Sequence, residues 1–351
     1  MASFQELLKK CIELGSSDIH ITAGLPPMYR VNGKLVPGGT DKLNKNQTEA
    51  LVYSIMTEKQ RKIFEQYNEL DFSFGAKNIG RFRANVFMQR GCAAAALRII
   101  PTEIMEFEEL GLPPIIKDLM NRPNGLILVT GPTGSGKSTT LASMIDFLNE
   151  ERNEHILTIE DPIEFVHSHK NCMINQREIG HDTDGFAAAL KSALRQDPDI
   201  VLIGELRDLE TIQAALTIAE TGHLTFATLH TNSAPKTISR IVDVFPANQK
   251  STIRTQLSMV LEAIISQTLL PKTTEGRIVA TELLVPNSGI RQLIRDDKLH
   301  QLSGMMEVGS RDGMHTMNSD LARLYHENMV TLKDIMKQSP DPKGLDKLLF
   351  E

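Results

Sequence analysis

The chain predicts an α/β fold: a parallel sheet with covering helices, preceded by a smaller α+β domain and followed by a helical region. Three observations carry this reading. From Gly125 onward, short apolar runs alternate with helical patterns, the order that builds a parallel sheet. Within that part, an apolar run at 126–129 leads into a glycine-rich stretch at 131–138 and then a helical pattern at 139–146. The first hundred residues instead carry strands alternating apolar with polar side chains, the mark of a sheet with one wet face.

Taken in order, residues 4–14 place Phe4, Leu7, Leu8, Cys11 and Ile12 on one helical face, and Gly15 ends the helix. A strand begins at 16–21. Residues 28–31 and 34–36 form a hairpin through Asn32-Gly33, the pair that favours a type I′ turn. Helical patterns follow at about 47–56 and 58–66, and alternating strands at 70–74 and 81–87. Residues 101–114 have Pro, Glu and Gly with little periodicity and read as an interdomain linker, with Phe107, Leu110 and Leu112 available to dock on a surface. Strands are expected at 126–129, 156–159, 200–203 and 224–229, and helices at 185–194 and 210–220. Residues 251–270 read as one long apolar-periodic helix, 279–285 as a late strand, and 289–296 as a short basic amphipathic helix. Helical segments at 316–328 and 331–337 follow, and the turn-rich tail 339–344 reads as mobile. The domains expected are therefore 1–100, the linker 101–114, a sheet domain at 115–288 and a helical region at 289–351.

Composition narrows the function. The 351 residues, 41% hydrophobic and 23% charged, suit an ordinary globular chain of two or three domains. A net charge of -6 supplies no global basic field for nucleic acid, and the absence of Trp leaves few base-stacking platforms. Cys11, Cys92 and Cys172 lie far apart, form no C-x-x-C pair and suit a reducing cytosol, each as a small buried hydrophobe. No run approaches the roughly eighteen apolar residues of a membrane span. The N-terminus lacks the basic and apolar regions of a signal peptide, so membrane contact is expected only through partners.

Residues Gly131, Pro132, Thr133, Gly134, Ser135, Gly136, Lys137 and Ser138 fit G-x-x-x-x-G-K-[ST], a phosphate-binding P-loop, with Thr139 continuing into the helix. The glycines let the backbone turn N–H groups toward phosphate oxygens, and the helix N-terminus adds its positive dipole end. Lys137 is placed to reach the β- and γ-phosphates of a nucleoside triphosphate, and the Ser138 hydroxyl to ligate Mg²⁺. A triphosphate with Mg²⁺ also needs an acid near the metal and a group to activate water. Glu205, directly after the strand 200–203, is the Walker-B candidate and second metal-site residue, with Gly204 where an Asp is usual. Glu164, beside Glu160 and Asp161, ends the neighbouring segment. The strands of Glu164 and Glu205 flank the P-loop strand in sequence order, which favours function over acidic helix caps. His223 and His230 bracket the strand 224–229. His230, at its carboxyl end, is either a γ-phosphate sensor or an ordinary packed histidine. Arg81, Arg83 and Arg90 are read as sharing a face or edge of the first sheet. They are either a solvated face or cationic groups aimed at a triphosphate.

Several motifs together resemble the secretion-superfamily ATPases, specifically the type IV pilus retraction (PilT-like) group. Residues 131–138 match Walker A, 160–165 the Asp box, 200–205 Walker B extended by Leu206-Arg207-Asp208, and 221–223 with 228–232 the His box. The stretches 175–178 and 193–199 match as well. The helix 289–296 reads G-I-R-Q-L-I-R-D against the group's A-I-R-N-L-I-R-E, departing at three of eight positions. The tetracysteine zinc module and longer N-terminus typical of assembly and type II secretion ATPases are not in this sequence.

The resemblance implies a PAS-like N-terminal domain, a RecA-like P-loop ATPase core and a homo-hexamer. It further implies ATP hydrolysis driving pilin disassembly for pilus retraction and twitching motility. By the same likeness Glu164 is the general base, Glu205 the acid near Mg²⁺, Arg81 and Arg83 the N-terminal arginines, and His230 the nucleotide sensor. The implied partners are an inner-membrane pilus platform protein and an accessory paralogous ATPase, in the cytoplasm at the pilus base. A pilus assembly or type II secretion ATPase is the alternative, with a RecA-like nucleic-acid motor further off.

Overall fold

The structure is a computed structural model and describes residues 3–101 and 103–350. The chain divides into two compact units. The first comprises residues 1–103 together with the segment 162–166, and the second comprises 104–161 with 167–351.

The first unit opens with α1 (Phe4–Glu13), β1 (Asp18–Ile21), β2 (Met28–Val31) and β3 (Lys34–Pro37). It continues with α2 (Lys45–Ser54), α3 (Glu58–Tyr67), β4 (Glu69–Ala76), β5 (Gly80–Gln89) and β6 (Cys92–Ile100). Its sheet has the order β3-β2-β1-β6-β5-β4, with every pair antiparallel. Asn32 and Gly33 both take positive φ, as a type I′ hairpin requires. All three helices start with a reciprocal capping box, Ser3 with Glu6, Asn44 with Gln47 and Thr57 with Gln60, so local sequence alone fixes where they begin. The strand β6 was not among the expected elements, because its Ala-rich sequence carries weak strand propensity. It is central in the sheet, between β1 and β5, where Ala93, Ala95 and Leu97 join Tyr29, Phe64 and Phe82 in the core. Burial at that position outweighs propensity.

The second unit begins with a 3₁₀ turn (Phe107–Leu110) and α4 (Ile115–Met120). Phe107 and Leu112 are buried in the same core as Leu141 and Met144, so this part of the linker stretch is packed. Then come β7 (Gly125–Thr130), α5 (Lys137–Glu151), β8 (His155–Glu160), β9 (Met173–Glu178), α6 (Phe186–Ala193) and β10 (Ile200–Ile203). They are followed by α7 (Leu209–Glu220), β11 (Leu224–Leu229), α8 (Ala234–Asp243), α9 (Lys250–Val260), β12 (Leu261–Pro271) and β13 (Arg277–Leu284). The C-terminal helices are α10 (Ser288–Arg295), α11 (Leu302–Val308), α12 (Met317–His326), α13 (Leu332–Gln338) and α14 (Pro342–Phe350).

The sheet order is β13-β12-β7-β11-β10-β8-β9, parallel throughout except that β13 runs antiparallel to β12. Strands β7, β10 and β11 are buried along their whole length, which is why they read as unbroken apolar runs. Separate hydrophobic clusters carry this burial, one including Leu126, Leu128 and Val201, the other Ile127, Val129 and Ile200. Alternate residues of one strand thus feed different cores.

Two expectations fail here for physical reasons. The single helix expected at 251–270 is a helix and then a strand, because α9 stops at Val260 and β12 pairs with β7 from Leu261. A strand buried on both faces has no polar face to break the apolar pattern, so periodicity cannot separate it from a buried helix. The stop is supplied from far along the chain: Arg291 Nη1 donates to Ser258 O at 2.6 Å and Met259 O at 2.9 Å, taking the last carbonyls of α9. Its Nη2 donates to Glu262 Oε1 at 2.9 Å, beside an irregularity in the β12 pairing. The second failure is the tail. Only a short turn precedes α14, whose Leu345 and Leu349 bury against Leu321, Leu324 and Ile335. Ser339 Oγ donates to Asn318 Oδ1, and Asn318 Nδ2 donates to Asp341 O, so the turn is tied down rather than mobile.

Candidate active site

The P-loop joins β7 to α5, and α5 opens at Gly136 without a side-chain cap. Its first-turn N–H groups are therefore left for an anion. Pro132, Thr133 and Gly134 are exposed, Gly131 and Ser135 are buried, and Gly136, Lys137, Ser138 and Thr139 lie between. Lys137 Nζ folds back over the loop, donating to Gly131 O at 2.8 Å and Pro132 O at 3.1 Å. Gly131 has φ +148, and a Cβ there would come 2.3 Å from Gln267 O, so only glycine fits at the root of the loop.

The neighbours of β7 are β11 and β12, not the strands that precede Glu205 and Glu164. Sequence order therefore does not translate into adjacency. His230 follows β11, the strand next to the P-loop strand; Glu205 follows β10, one strand further; Glu160 ends β8, one further again. The carboxyl ends of an open parallel sheet collect these groups on one side, where such sheets bind ligands.

Glu205 sits in a prepared environment. Leu206 N donates to Thr228 O at 3.0 Å and Thr228 Oγ1 donates to Gly204 O, so β11 holds the Glu205 loop on both sides of the residue. Arg207 Nη2 lies 2.7 Å from Glu205 Oε2, and His230 Nε2 lies 3.4 Å from Oε1. Burial pushes the Glu205 carboxyl up, but the Arg207 hydrogen bond and charge, with His230 adding to them, outweigh it and hold the group below the usual carboxylate range. Glu205 is thus a fixed negative charge at neutral pH. Gly204 replaces the usual Asp because the end of β8 passes close by. A Cβ at 204 would come 3.3 Å from both Glu160 Cα and Ile159 O.

The other candidates have different settings. Glu160 accepts from Thr158 Oγ1 at 2.6 Å and Gln176 Nε2 at 3.1 Å, which orients it within the sheet unit. Glu164 is exposed, and its segment, 162–166, belongs to the first unit. Arg81 and Arg83 share one face of β5, with Phe82 and Ala84 buried on the other, and Arg81 Nη2 donates to Ser73 Oγ at 2.6 Å. Arg90 is not on that face. It sits at φ +49 in the turn that joins β5 to β6. His223 lies before β11, at the end of the sheet away from the P-loop, where its Nδ1 is 3.0 Å from Ile218 O; its setting is structural.

Two contributors were missed from sequence. Arg207 was visible only as part of the Walker-B extension, although it stands two residues from Glu205, its partner. Gln267 was hidden by the misread helix, although a lone Gln among Leu, Ile and Thr was the available signal. Its Nε2 donates to Ser135 O at 2.8 Å from β12.

Residues 2–339 match the family described as Type II/IV secretion system protein. The chain belongs to this family. The type IV pilus retraction ATPase PilT of Pseudomonas aeruginosa is 50% identical to it over 339 residues, covering 97% of this chain and 98% of that protein. A twitching motility protein of Neisseria gonorrhoeae is 48% identical, over 95% of this chain and 91% of its own length. Among solved structures, the crystal structure of the pilus retraction motor PilT with bound ADP superposes with a TM-score of 0.93 at 54% identity, covering 99% of this chain and all of that one. The chain is a retraction-type ATPase of the family, and the α/β fold expected from sequence is the fold observed. Among the described residues no helix is long and apolar enough to cross a membrane.

Proposed function

We propose that this chain is the ATP-hydrolysing subunit of a hexameric motor that withdraws type IV pili and so powers twitching motility. The observation that carries the proposal is the grouping of the P-loop, Glu205, Arg207 and His230 at the carboxyl ends of one parallel sheet. In this reading the loop residues 131–139 grip the phosphates of ATP through backbone N–H groups, and Lys137 leaves its loop carbonyls for the β- and γ-phosphates. Glu164 takes the proton from the attacking water. Arg81 and Arg83 supply cationic groups to the triphosphate of this or a neighbouring chain, and His230 reports whether the γ-phosphate is present.

The donor set fits Mg²⁺, since Ser138 opens α5 beside Lys137 and Glu205 is held ionised. Mg²⁺ characteristically uses one or two protein oxygens and takes the rest from phosphate and water. When bound there, it would neutralise charge developing on the phosphate oxygens. Ser138, through its hydroxyl oxygen, and Glu205, through its carboxylate, are the residues that would hold it.

Residues 1–100 act as the moving PAS-like part, 101–114 as its connection, 115–288 as the RecA-like ATPase core and 289–351 as the C-terminal region. Partners of the proposed motor are a pilus platform protein of the inner membrane, reached from the cytoplasm, and an accessory paralogous ATPase. The test is Lys137→Ala in the full chain, scored by phosphate release and by piliation of a deletion strain carrying it. The expected result is turnover lower by about 10²–10³-fold, the scale of losing one transition-state charge contact, with hyperpiliated, non-twitching cells. Bald cells would instead mark an assembly motor, and unchanged turnover would remove the P-loop from the mechanism.

A further inference from the structure

The strand β12 runs beside the P-loop strand, and one of its side chains reaches the loop itself. Gln267 is 2% exposed and its Nε2 donates to Ser135 O at 2.8 Å. The orientation of the amide is fixed by chemistry, since a carbonyl only accepts. The preceding residue makes a parallel contact: Thr130 Oγ1 donates to Ser266 Oγ at 2.9 Å. Backbones also approach closely here. Besides the Gly131 contact with Gln267 O, a Cβ on Gly136 would come within 3.2 Å of Gln267 Nε2. The glycines that admit phosphate on one side of the loop therefore admit β12 on the other. Two further atoms at this contact, Gln267 Oε1 and Ser135 Oγ, are buried without a hydrogen-bond partner among the described residues. A buried polar side chain kept at this place, only half satisfied, calls for a role beyond packing.

We infer that Gln267 is a positioning residue for the nucleotide: it clamps the Ser135 peptide so that the N–H groups of the P-loop stay aimed at the phosphates. It touches no substrate and acts through Ser135. The clamp also continues away from the site, because the next residue, Thr268, donates through Oγ1 to Gln338 Oε1 at 3.4 Å, at the end of α13. The inference rests on the P-loop as the nucleotide site. It predicts a loss felt by ADP as well as ATP, and in KM more than in kcat, because the loop grips phosphates in ground and transition states alike.

The test measures ADP binding by calorimetry from pH 6 to 8.5 for the full chain, Gln267→Met and Gln267→Glu, with melting temperatures alongside. Met keeps the length of Gln but cannot donate, and its ADP Kd is expected to rise about five- to tenfold at every pH, the range for one net hydrogen bond. For Gln267→Glu the ratio to wild type is expected to be largest at pH 8.5, where the ionised carboxylate faces the Ser135 carbonyl. It falls as pH drops, because a protonated carboxyl donates to that carbonyl again. A merely structural role would not produce this recovery. Gln267→Met binding ADP within twofold of wild type, or a pH-independent ratio for Gln267→Glu, would overturn the inference. Lys137→Ala separates the two levels: if it also binds ADP normally, the P-loop assignment is what has failed.

Discussion

Glu205 and Glu164 follow two strands of the same sheet, yet the fold surrounds them with opposite environments. Glu205 is held between Arg207 and His230, on a loop fastened to β11 by Thr228. Glu164 is exposed, no hydrogen bond or ion pair engages its carboxylate among the described residues, and its segment belongs to the other compact unit. A carboxylate locked to cations keeps its charge and is a weak base. A carboxylate with no cation on it is open to a hydrogen bond from water. The contrast supports the proposed division of labour, with Glu205 as the fixed charge near the metal and Glu164 as the group that takes the proton from water. In that proposal the base lies on a segment grouped with the first compact unit.

The largest effect expected is on Glu164. Glu164→Gln keeps shape and polarity but cannot take the proton, so single-turnover hydrolysis should fall by about 10²–10⁴-fold, the usual contribution of a general base, with ADP affinity unchanged. Glu205→Gln should lower turnover by about 10²–10³-fold and also raise the Mg²⁺ concentration needed for half-maximal rate. A Mg²⁺ titration of both variants decides the comparison. A metal shift in Glu164→Gln with none in Glu205→Gln would reverse the two roles.

The next effect is a pH dependence. Arg207 is the chief group lowering the Glu205 carboxyl against the upward push of burial. In Arg207→Ala that carboxyl rises, so the acid limb of the turnover profile should move to higher pH, with a severalfold loss near neutrality. Stability follows the same sign. The wild-type carboxyl lies below its unfolded value, so its contribution is present above the unfolded pKa and lost as pH falls through the folded one. The stability gap between wild type and Arg207→Ala should therefore narrow in acid, and denaturant melts at several pH values would show it. A gap that stays constant would mean Arg207 acts on something other than Glu205.

Much of this site was legible in the sequence, and the rest was hidden for identifiable reasons. Walker A is contiguous, and its strand and helix are set by local pattern, so Lys137 and Ser138 could be placed without the fold. The capping boxes of the first unit are local in the same way. Glu205 was found because it directly follows an apolar run. Its salt bridge to Arg207 spans two residues and could have been read, but its link to His230 needs β10 and β11 to be neighbours, a fact of topology. Gln267 was lost because α9 and β12 form one apolar stretch whose break is made by Arg291, about thirty residues later. The same long-range dependence hid α14, whose burial relies on Leu321 and Ile335.

The smallest effect concerns why the two carboxylate loops differ at all. Gly204 lets the end of β10 lie against the end of β8, with Gly204 N donating to Ile159 O at 2.8 Å. A Cβ at 204 would meet Glu160 Cα and Ile159 O at 3.3 Å, backbone atoms that cannot swing aside as a flexible side chain would. Gly204→Ala should therefore cost about 1–3 kcal/mol, as overpacking typically does, and lower the melting temperature by about 2–4 °C per kcal/mol. Gly204→Asp, which restores the usual Walker-B acid, should be at least as destabilising and should not rescue Glu205→Gln, because the space for a side chain is already taken by β8. Thermal melts and turnover below the transition separate the two consequences. If Gly204→Asp melts like wild type and rescues hydrolysis, the close approach of β8 is not what excludes the second acid.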